Sequence, residues 1–569
     1  MKDEVFRFEN FGFQYKAQAE PTLRDINLSI RSGEKVLICG PSGCGKSTLA
    51  HCLNGLIPNS YRGTVTGELT IEGKSFRDMD IFSLSRLVGT VLQDSDGQFI
   101  GLSVGEDIAF ALENDCVSQA EMRQRVAETA EIVGVDRLLE QAPHALSGGQ
   151  KQRVSLAGVM VDDVKVLLFD EPLANLDPAT GKTVIELIDD IHRRTGITVI
   201  IIEHRLEDVL HRPVDRVILM QDGRICAERT PDELLAEDLL RPAGIREPLY
   251  VTALRYAGVE VTKELRPGRV DTLYLAESDR AKVREWFRRV LEPPHSEQGK
   301  ALLEAEHISF GYEEGRAVLE DVDFTVQQGE MLALVGRNGA GKSTFTKLIC
   351  GFAQPWEGAF RFDGADFSAL TIRERAEHIG YVMQNPNQMI SQNLIFDEVG
   401  LGLRMAGVEP EIIKKRVHEA LKICGLYPFR KWPVSALSYG QKKRVTVASI
   451  LAMNPEIVIL DEPTAGQDFR HYTDIMEFLR ELNRKGVTIL LITHDMHLML
   501  EYCERAVVFS EGHKIADAPC ADVLTDSVIV ERASLKETSL SALARLCGLP
   551  PRDFIRSFIL YDREVRRGD

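Results

Sequence analysis

The chain has 569 residues, of which 44% are hydrophobic and 27% charged, and its formal net charge is −18. This length exceeds what one hydrophobic core supports, so we expect about three or four folding units. The ordinary composition excludes large disordered tracts, and the acidic balance argues against broad electrostatic binding to nucleic acid or anionic lipid.

The N-terminal residues MKDEVFRFEN are acidic and lack the apolar core of a signal peptide. No run approaches the roughly 18 apolar residues that a membrane span needs. The ten cysteines form no CxxC pair and have no regular spacing, which indicates reduced thiols of a cytoplasmic protein. We therefore expect a chain that cannot cross a bilayer by itself.

The first half of the chain carries four short motifs. They are GPSGCGKST at Gly40–Thr48, LSGGQ at Leu146–Gln150, LLFDEP at Leu167–Pro172 and IIEHR at Ile201–Arg205. The first motif follows the apolar run Val36–Cys39, and the last begins inside the apolar run Thr198–Ile202. Short apolar runs of this kind predict buried parallel strands that end at the motifs.

The second half repeats the first. Its motifs are GRNGAGKST at Gly336–Thr344, LSYGQ at Leu437–Gln441, VILDEP at Val458–Pro463 and LITHD at Leu491–Asp495. The serine of the second motif and the aspartate of the third are 23 positions apart in both halves, and Gln93 and Gln384 each precede that serine by 54 positions. Shared order and spacing predict a tandem duplication.

The glycine-rich loops have the composition of phosphate-binding loops. Glycines let backbone N–H groups converge on phosphate oxygens at a helix N-terminus. We predict that Lys46 and Lys342 reach the β- and γ-phosphates of ATP and that Ser47 and Ser343 ligate Mg²⁺. The other loop residues assigned to ATP are Gly40, Gly43, Gly45 and Thr48 in the first half and Gly336, Gly339, Gly341 and Thr344 in the second.

The DE pair at the end of an apolar strand supplies the other half of a phosphate site. We predict that Asp170 and Asp461 enter the magnesium shell. The next residue in each half, Glu171 or Glu462, is then placed to polarise the attacking water. A helix-capping carboxylate is the alternative, but the strand–DE–Pro context argues against it.

A histidine follows the last apolar strand of each half. Repetition at matched spacing favours a γ-phosphate contact for His204 and His494 over a purely structural role. The full order of motifs is a GxxGxGKST loop, a glutamine loop, LSGGQ, a DE-ending strand and a histidine switch. This order resembles the ABC ATPase family over nearly all of both halves.

The resemblance implies that two cassettes pair head to tail within one chain, with each ATP between one P-loop and the opposite signature. Site one then joins Lys46, Ser47, Gln93, Asp170, Glu171 and His204 to Ser438 and Gly440, and site two joins Lys342, Ser343, Gln384, Asp461, Glu462 and His494 to Ser147 and Gly149. Both glutamines are assigned to catalysis and to Mg²⁺. Tyr15 and Tyr312 resemble the aromatic residues that stack on adenine.

The fold class that the resemblance implies is α/β, with two P-loop NTPase domains in tandem. Each has a RecA-like parallel-sheet core, an antiparallel β subdomain and a helical signature subdomain. The expected domains are a first cassette at 3–235, a connector or appendage at 236–300, a second cassette at 301–527 and a C-terminal helical tail at 528–569. Because both cassettes keep the glutamate and the histidine, we predict that both sites hydrolyse ATP.

Three local features add expectations. Tyr439 replaces a glycine of the signature, so its ring must find room. The D-loop of the second half, Ala465–Asp468, departs further from the family pattern than Ala174–Asp177, so the sites are expected to differ. Cys44 lies beside Lys46 at a helix N-terminus, which predicts a thiol with a lowered pKa and raised reactivity.

Further segments resemble the fused double-cassette ATPases of energy-coupling-factor importers. They are QDSDGQF at Gln93–Phe99, QNPNQMI at Gln384–Ile390 and GIREPLY at Gly244–Tyr250. This resemblance implies an integral-membrane scaffold subunit and a small-molecule-binding membrane subunit as partners, with the chain peripheral on the cytoplasmic face of the membrane. The group imports vitamins, their precursors or transition-metal ions such as cobalt and nickel, and nothing in these residues names the cargo.

Two alternatives stay open. A double-cassette monosaccharide importer ATPase often has one degenerate catalytic half, which is not seen here. A translation factor with two cassettes would carry a basic linker that contacts RNA. Residues 228–300 hold 14 acidic and 13 basic residues, a balance of −1, which gives no electrostatic footprint for RNA, so we expect no nucleic-acid partner.

Overall fold

The computed structural model describes residues 3–92, 95–174, 176–290, 299–464 and 469–568. Gln93, Asn175 of the first D-loop and the whole second D-loop at 465–468 lie outside the described residues. The chain divides into two compact units between Val283 and Arg284. Within the described ranges, every helix is too short or too polar to cross a bilayer.

The first unit contains two sheets. Its strands are β1 (Glu4–Tyr15), β2 (Leu23–Arg31), β3 (Lys35–Cys39), β4 (Gly63–Ile71), β5 (Lys74–Ser75), β6 (Val88–Val91), β7 (Val166–Asp170), β8 (Thr198–Ile202), β9 (Arg216–Gln221) and β10 (Arg224–Arg229). A four-stranded antiparallel sheet has the order β2-β1-β4-β5, and a six-stranded sheet has the order β10-β9-β3-β8-β7-β6. The larger sheet is parallel except for its edge strand β10.

Helices surround these sheets. They are α1 (Lys46–Leu53), α2 (Leu56–Asn59), α3 (Ile81–Ser85), α4 (Val104–Asn114), α5 (Gln119–Val133), α6 (Gly148–Met160), α7 (Pro178–Thr195), α8 (Leu206–Val209), α9 (Pro231–Ala236) and α10 (Leu249–Tyr256), and α11 (Glu277–Arg289) contains the boundary between the units. All five residues of β3 and of β8 are buried, as expected for strands that helices cover on both faces. The apolar runs before the motifs are therefore central strands, as predicted.

The second unit repeats this architecture. Its strands are β11 (Ala301–Phe310), β12 (Leu319–Gln327), β13 (Met331–Gly336), β14 (Glu357–Phe362), β15 (Ala365–Asp366), β16 (Ile379–Val382), β17 (Ile457–Asp461), β18 (Thr488–Ile492), β19 (Arg505–Ser510) and β20 (His513–Pro519). The sheet orders are β12-β11-β14-β15 and β16-β17-β18-β13-β19-β20. The same strand order in both units confirms the α/β fold class with two P-loop NTPase domains.

The helices of the second unit form a helical subdomain and part of the C-terminal tail. They are α12 (Lys342–Ile349), α13 (Ile372–Arg375), α14 (Ile395–Met405), α15 (Pro410–Ile423), α16 (Tyr439–Ala452), α17 (Phe469–Arg484), α18 (Met496–Tyr502), α19 (Cys520–Thr525), α20 (Ser527–Arg532), α21 (Ser539–Leu546) and α22 (Pro551–Gly568). Helices α14, α15 and α16 enclose an apolar core that includes Val399, Val417, Leu421 and Val445. This helical subdomain carries the signature, and the helices α21 and α22 lie in the predicted C-terminal tail.

A buried ion pair anchors the strand that precedes the first glycine-rich loop. Nζ of Lys35, at the start of β3, lies 2.8 Å from Oδ1 of Asp189 on α7, and these side chains are 2% and 4% exposed. Burial lowers the pKa of Lys35, while the hydrogen bond that Lys35 donates to Asp189 opposes that shift. Removing Lys35 would leave the buried Asp189 carboxylate to the more distant and exposed Arg193, whose Nε lies 3.3 Å from Oδ2, and burying an incompletely paired charge is expensive.

We predict that Lys35→Met lowers the free energy of unfolding by about 3 kcal/mol or more, because the Asp189 carboxylate stays buried. Urea unfolding of the full chain measures this. The matched control is Arg7→Met, which removes an exposed pair of Arg7 with Glu9 and should cost less than about 1 kcal/mol. Equal losses in the two variants would contradict the assignment of Lys35 as a buried anchor.

Candidate active sites

The glycine-rich loop of the first unit curves between β3 and α1. Gly45 has a φ of 103°, and a side chain at Gly40 would clash with the carbonyl oxygen of Met220, so the loop requires glycine at both places. Nζ of Lys46 donates to the carbonyl oxygens of Gly40 at 2.8 Å and Pro41 at 3.0 Å. The lysine therefore closes the loop on itself, with its ammonium group where phosphate oxygens would be bound.

The loop of the second unit has the same geometry. Gly341 has a φ of 99°, and a side chain at Gly336 would clash with the carbonyl oxygen of Phe509. Nζ of Lys342 donates to the carbonyl oxygens of Gly336 at 2.7 Å and Arg337 at 2.8 Å. The two loops share the same lysine hydrogen bonds and the same pattern of left-handed glycines. This shared geometry supports the prediction of two phosphate-binding sites.

Asp170 offers a buried carboxylate beside the first loop. The hydroxyl of Ser47 hydrogen-bonds it, and burial raises the pKa of Asp170 despite that hydrogen bond and the nearby charge of Lys46. Its Oδ1 is buried and has no hydrogen-bond donor among the described residues. A buried oxygen without a donor, next to a serine hydroxyl, fits the oxygen ligands that Mg²⁺ prefers.

Asp461 has the same place in the second unit. The hydroxyl of Ser343 hydrogen-bonds it, and burial again raises the pKa of the carboxyl group. A second hydroxyl also reaches it, because Tyr381 donates to Oδ2 at 2.9 Å. Hard oxygen donors are therefore present in both units, and the residues fit Mg²⁺ in both.

The two predicted catalytic glutamates have an unusual backbone conformation. Glu171 has a φ of 51° and Glu462 a φ of 46°, a left-handed region that costs a residue other than glycine about 1 kcal/mol or more. Hydrogen bonds hold these turns, since the N–H groups of Glu171 and Glu462 donate to the carbonyl oxygens of Ile202 at 2.9 Å and Ile492 at 3.0 Å. Strain at the same place in both units, directly after the aspartates, is typical of a functional turn.

The glutamate of the second unit is held by side chains on both oxygens. Nε2 of His494 lies 2.9 Å from Oε1 of Glu462, and Nε2 of Gln384 donates to Oε2 at 3.1 Å. Burial opposes ionisation of Glu462, but the hydrogen bond and charge of His494 and the charges of Lys342 and Lys443 outweigh it, so its pKa lies below the usual value. The structure thus brings together the predicted loop, base, glutamine and histidine of this unit.

The first unit arranges its histidine differently. Nδ1 of His204 lies 3.9 Å from Oε1 of Glu171 and 3.2 Å from Oε1 of Glu203. Burial raises the pKa of Glu171, and the charges of His204 and Lys46 only partly offset this shift. The bases of the two units therefore have pKa values shifted in opposite directions, although their sequence motifs are alike.

Sequence reasoning missed Glu203. This side chain is fully buried, and its carboxylate accepts the N–H groups of His204 at 2.8 Å, Arg205 at 3.1 Å and Leu173 at 3.3 Å. Thr493 takes its place in the second unit. Comparison of IIEHR with LITHD could have revealed it, because Glu203 in the first unit stands where the second unit has Thr493, directly before the histidine. Glu203 therefore fixes the histidine loop of the first unit.

The signature serines begin helices. Ser147 caps α6 and Ser438 caps α16, and each exchanges hydrogen bonds with a glutamine three residues later. A side chain at Gly149 would clash with Thr180. The ring of Tyr439 finds room, since it is 40% exposed and its hydroxyl donates to the carbonyl oxygen of Gln384 at 3.3 Å. A helix N-terminus that begins with a capping serine is a suitable place for an anion.

The predicted adenine-stacking tyrosines lie beside their own loops. The hydroxyl oxygens of Tyr15 and Tyr312 are 3.1 Å from Oγ1 of Thr48 and 3.2 Å from Oγ1 of Thr344. Tyr312 is 63% exposed, so part of its side chain is accessible. This placement is compatible with stacking on adenine, which stays a prediction.

The expectation of a reactive Cys44 is wrong. This side chain is only 3% exposed, and burial raises the pKa of its thiol more than the charge of Lys46, whose Nζ is 4.0 Å from Sγ, lowers it. The local sequence indicated the favourable charge but not the burial. Among the described cysteines, Cys116 and Cys226 are the exposed ones.

Fold and motif order define two P-loop NTPase domains of the ABC type. A family model of the ABC transporter matches residues 23–174 and 319–465, and a model described as an ATP-binding cassette cobalt transporter matches residues 237–310. The chain belongs to the ABC transporter family of ATP-binding proteins, as a member with two cassettes.

Two relatives of full length support this assignment. A protein of Clostridium perfringens, provisionally named an ABC transporter ATP-binding protein, is 55% identical over 563 residues and covers 99% of each chain. One of Enterococcus faecalis with the same provisional name is 56% identical over 572 residues and covers 100% of each. A solved structure of CbiO1 from Clostridium perfringens, part of the ABC transporter complex CbiONQ, is 31% identical over 44% of this chain and 98% of that chain, with a TM-score of 0.39.

The opposite pKa shifts of the two glutamates predict different acid limits for the two sites. As the pH falls, Glu171 takes up its proton before Glu462 does, because only the pKa of Glu171 is raised. A chain with Glu462→Gln, which keeps Glu171, should therefore lose ATPase activity at a higher pH than a chain with Glu171→Gln. The pH–rate profiles of both variants measure this, and coincident or reversed acidic limbs would contradict it.

Proposed function

We propose that the chain is the ATP-hydrolysing subunit of a membrane importer of the energy-coupling-factor type, with one ATP bound at each P-loop. The observation that carries the ATPase part is the duplicated arrangement of a loop lysine, a serine–aspartate pair, a strained glutamate and a histidine. The match of residues 237–310 to a cobalt transporter model favours the importer type. The transported substrate in this proposal is a vitamin, a vitamin precursor or a transition-metal ion.

In the proposed reaction, Lys46 and Lys342 exchange their carbonyl partners for phosphate oxygens. Ser47 with Asp170, and Ser343 with Asp461, would hold Mg²⁺. When bound, this ion neutralises phosphate charge. Gln93 and Gln384 are assigned to the same metal and to positioning of water.

The glutamates carry the proton transfer. Glu171 or Glu462 orients a water molecule and accepts its proton while the water oxygen attacks the γ-phosphorus and the bond to ADP breaks. His204 or His494 donates a hydrogen bond to the γ-phosphate, which stabilises the charge that develops there. In the proposed head-to-tail pairing, Ser438 would contact the phosphate bound at the first P-loop, and Ser147 would contact the phosphate bound at the second.

We expect each of Glu171→Gln and Glu462→Gln to lose much of the ATPase rate. The double variant should lose on the order of 100-fold or more, because glutamine keeps the shape but cannot accept the proton. Nucleotide binding should persist in all three variants. A colorimetric phosphate assay measures turnover, with Glu131→Gln on the exposed face of α5 as the control. Full activity in the double variant would show that another group is the base.

The proposed partners are an integral-membrane scaffold and a small substrate-binding membrane protein. The segment after the first glutamine loop exposes apolar side chains, with Ile100 64% and Leu102 85% accessible. Such exposure directly after the glutamine loop suits a docking contact for a scaffold helix.

Purification of the tagged chain from gently solubilised membranes of the source cells should recover both membrane subunits, identified by mass spectrometry. Leu102→Gln should reduce that recovery severalfold and leave basal ATPase unchanged. Val528→Gln, at a 62% exposed position on α20, should reduce neither the recovery of the membrane subunits nor the basal ATPase activity. Recovery of ribosomal components without membrane proteins, or equal effects of both substitutions, would contradict the proposed partners.

A further inference from the structure

Tyr381 contacts the predicted magnesium ligand of one unit only. It occupies the third position of β16, opposite Ile459 of β17, and its hydroxyl donates to Oδ2 of Asp461 at 2.9 Å. Thr90 occupies the third position of β6, opposite Leu168 of β7. The two places are thus structurally equivalent, although neither belongs to a nucleotide-binding motif named above.

Thr90 does not replace the tyrosine contact. Its Oγ1 accepts a hydrogen bond from Nδ2 of Asn54 at 3.4 Å. Oδ1 of Asp170 remains buried without a donor, as far as the described residues extend. The carboxylate of the first unit therefore has one fewer hydroxyl group to fix its orientation than the carboxylate of the second.

The position of the Tyr381 ring is itself fixed. It packs against Phe352 in a T-shaped pair, with ring centroids 6.1 Å apart at an angle of 78°, and its hydroxyl also hydrogen-bonds Thr346. Burial raises the pKa of this hydroxyl, and the charge of Asp461 raises it further. The ring contact and the hydrogen bonds therefore hold the phenol against the carboxylate of Asp461.

We propose that Tyr381 is a positioning residue that pre-orients Asp461 for Mg²⁺, so that the second P-loop needs less Mg²⁺ to bind its nucleotide than the first. Hydrogen bonds to metal-binding carboxylates fix their orientation, and their loss commonly lowers metal affinity about tenfold or more. The inference rests on the proposed function, because it requires nucleotide at both loops. It attributes the difference in Mg²⁺ requirement between the two sites to Tyr381, a residue outside the motifs.

The test is a Mg²⁺ titration of fluorescent ATP-analogue binding in chains that keep one loop lysine. Lys46→Ala leaves the second site, and Lys342→Ala leaves the first. In the Lys46→Ala chain, Tyr381→Phe should raise the half-saturating Mg²⁺ concentration about tenfold and leave binding in EDTA unchanged. A raised Mg²⁺ midpoint with unchanged binding in EDTA distinguishes loss of metal positioning from a general structural defect. An unchanged melting temperature confirms that the variant is folded.

Thr90→Val in the Lys342→Ala chain is the matched control. Its hydroxyl contacts Asn54 rather than Asp170, so the Mg²⁺ midpoint of the first site should not move. An unchanged or lowered midpoint in Tyr381→Phe would overturn the role of Tyr381 while leaving the ATP sites intact. Failure of the Lys46→Ala chain to bind any nucleotide would instead contradict the proposed function, and the inference would fall with it.

Discussion

Backbone hydrogen bonds that continue past the ends of the central strands place the proposed catalytic glutamates and the histidine loops. In the first unit, the N–H of Glu203 donates to the carbonyl oxygen of Ile38 at 3.1 Å, and the N–H of Glu171 donates to that of Ile202 at 2.9 Å. These bonds link the strand before the loop to the strand before the histidine, and that strand to the one before the glutamate. In the second unit, the N–H of Thr493 donates to the carbonyl oxygen of Leu334 at 3.3 Å, and the N–H of Glu462 donates to that of Ile492 at 3.0 Å. Lysine, carboxylates and histidine therefore meet at one edge of each sheet, as the parallel fold requires.

Residues around this shared framework distinguish the two sites. Glu203 holds the histidine loop of the first unit, where the second has Thr493. Tyr381 holds the aspartate of the second unit, where the first has Thr90. The burial and partners of the catalytic glutamates differ in turn, so their pKa values shift in opposite directions. A duplication that keeps its motifs can thus produce unequal sites through neighbours of those motifs.

The sequence predicted the fold and most of the proposed site because the motifs are local. A glycine loop after an apolar run, or a DE pair at a strand end, requires only a few consecutive residues, and its repetition supplies an internal check. The hydrogen bond of Tyr381 to Asp461 joins residues 80 positions apart, which no local pattern reveals. Cys44 was predicted wrongly since neighbouring charge is visible in the sequence and burial is not. The roles of Gln93 and of the second D-loop stay predictions, because these residues lie outside the described structure.

We propose that both P-loops bind ATP in one chain. Equilibrium dialysis with ATP and excess Mg²⁺, in the chain with Glu171→Gln and Glu462→Gln to prevent turnover, measures the stoichiometry directly. We expect two ATP molecules per chain, and one when either Lys46→Ala or Lys342→Ala is added. A stoichiometry of one or none in the chain that keeps both lysines would contradict it.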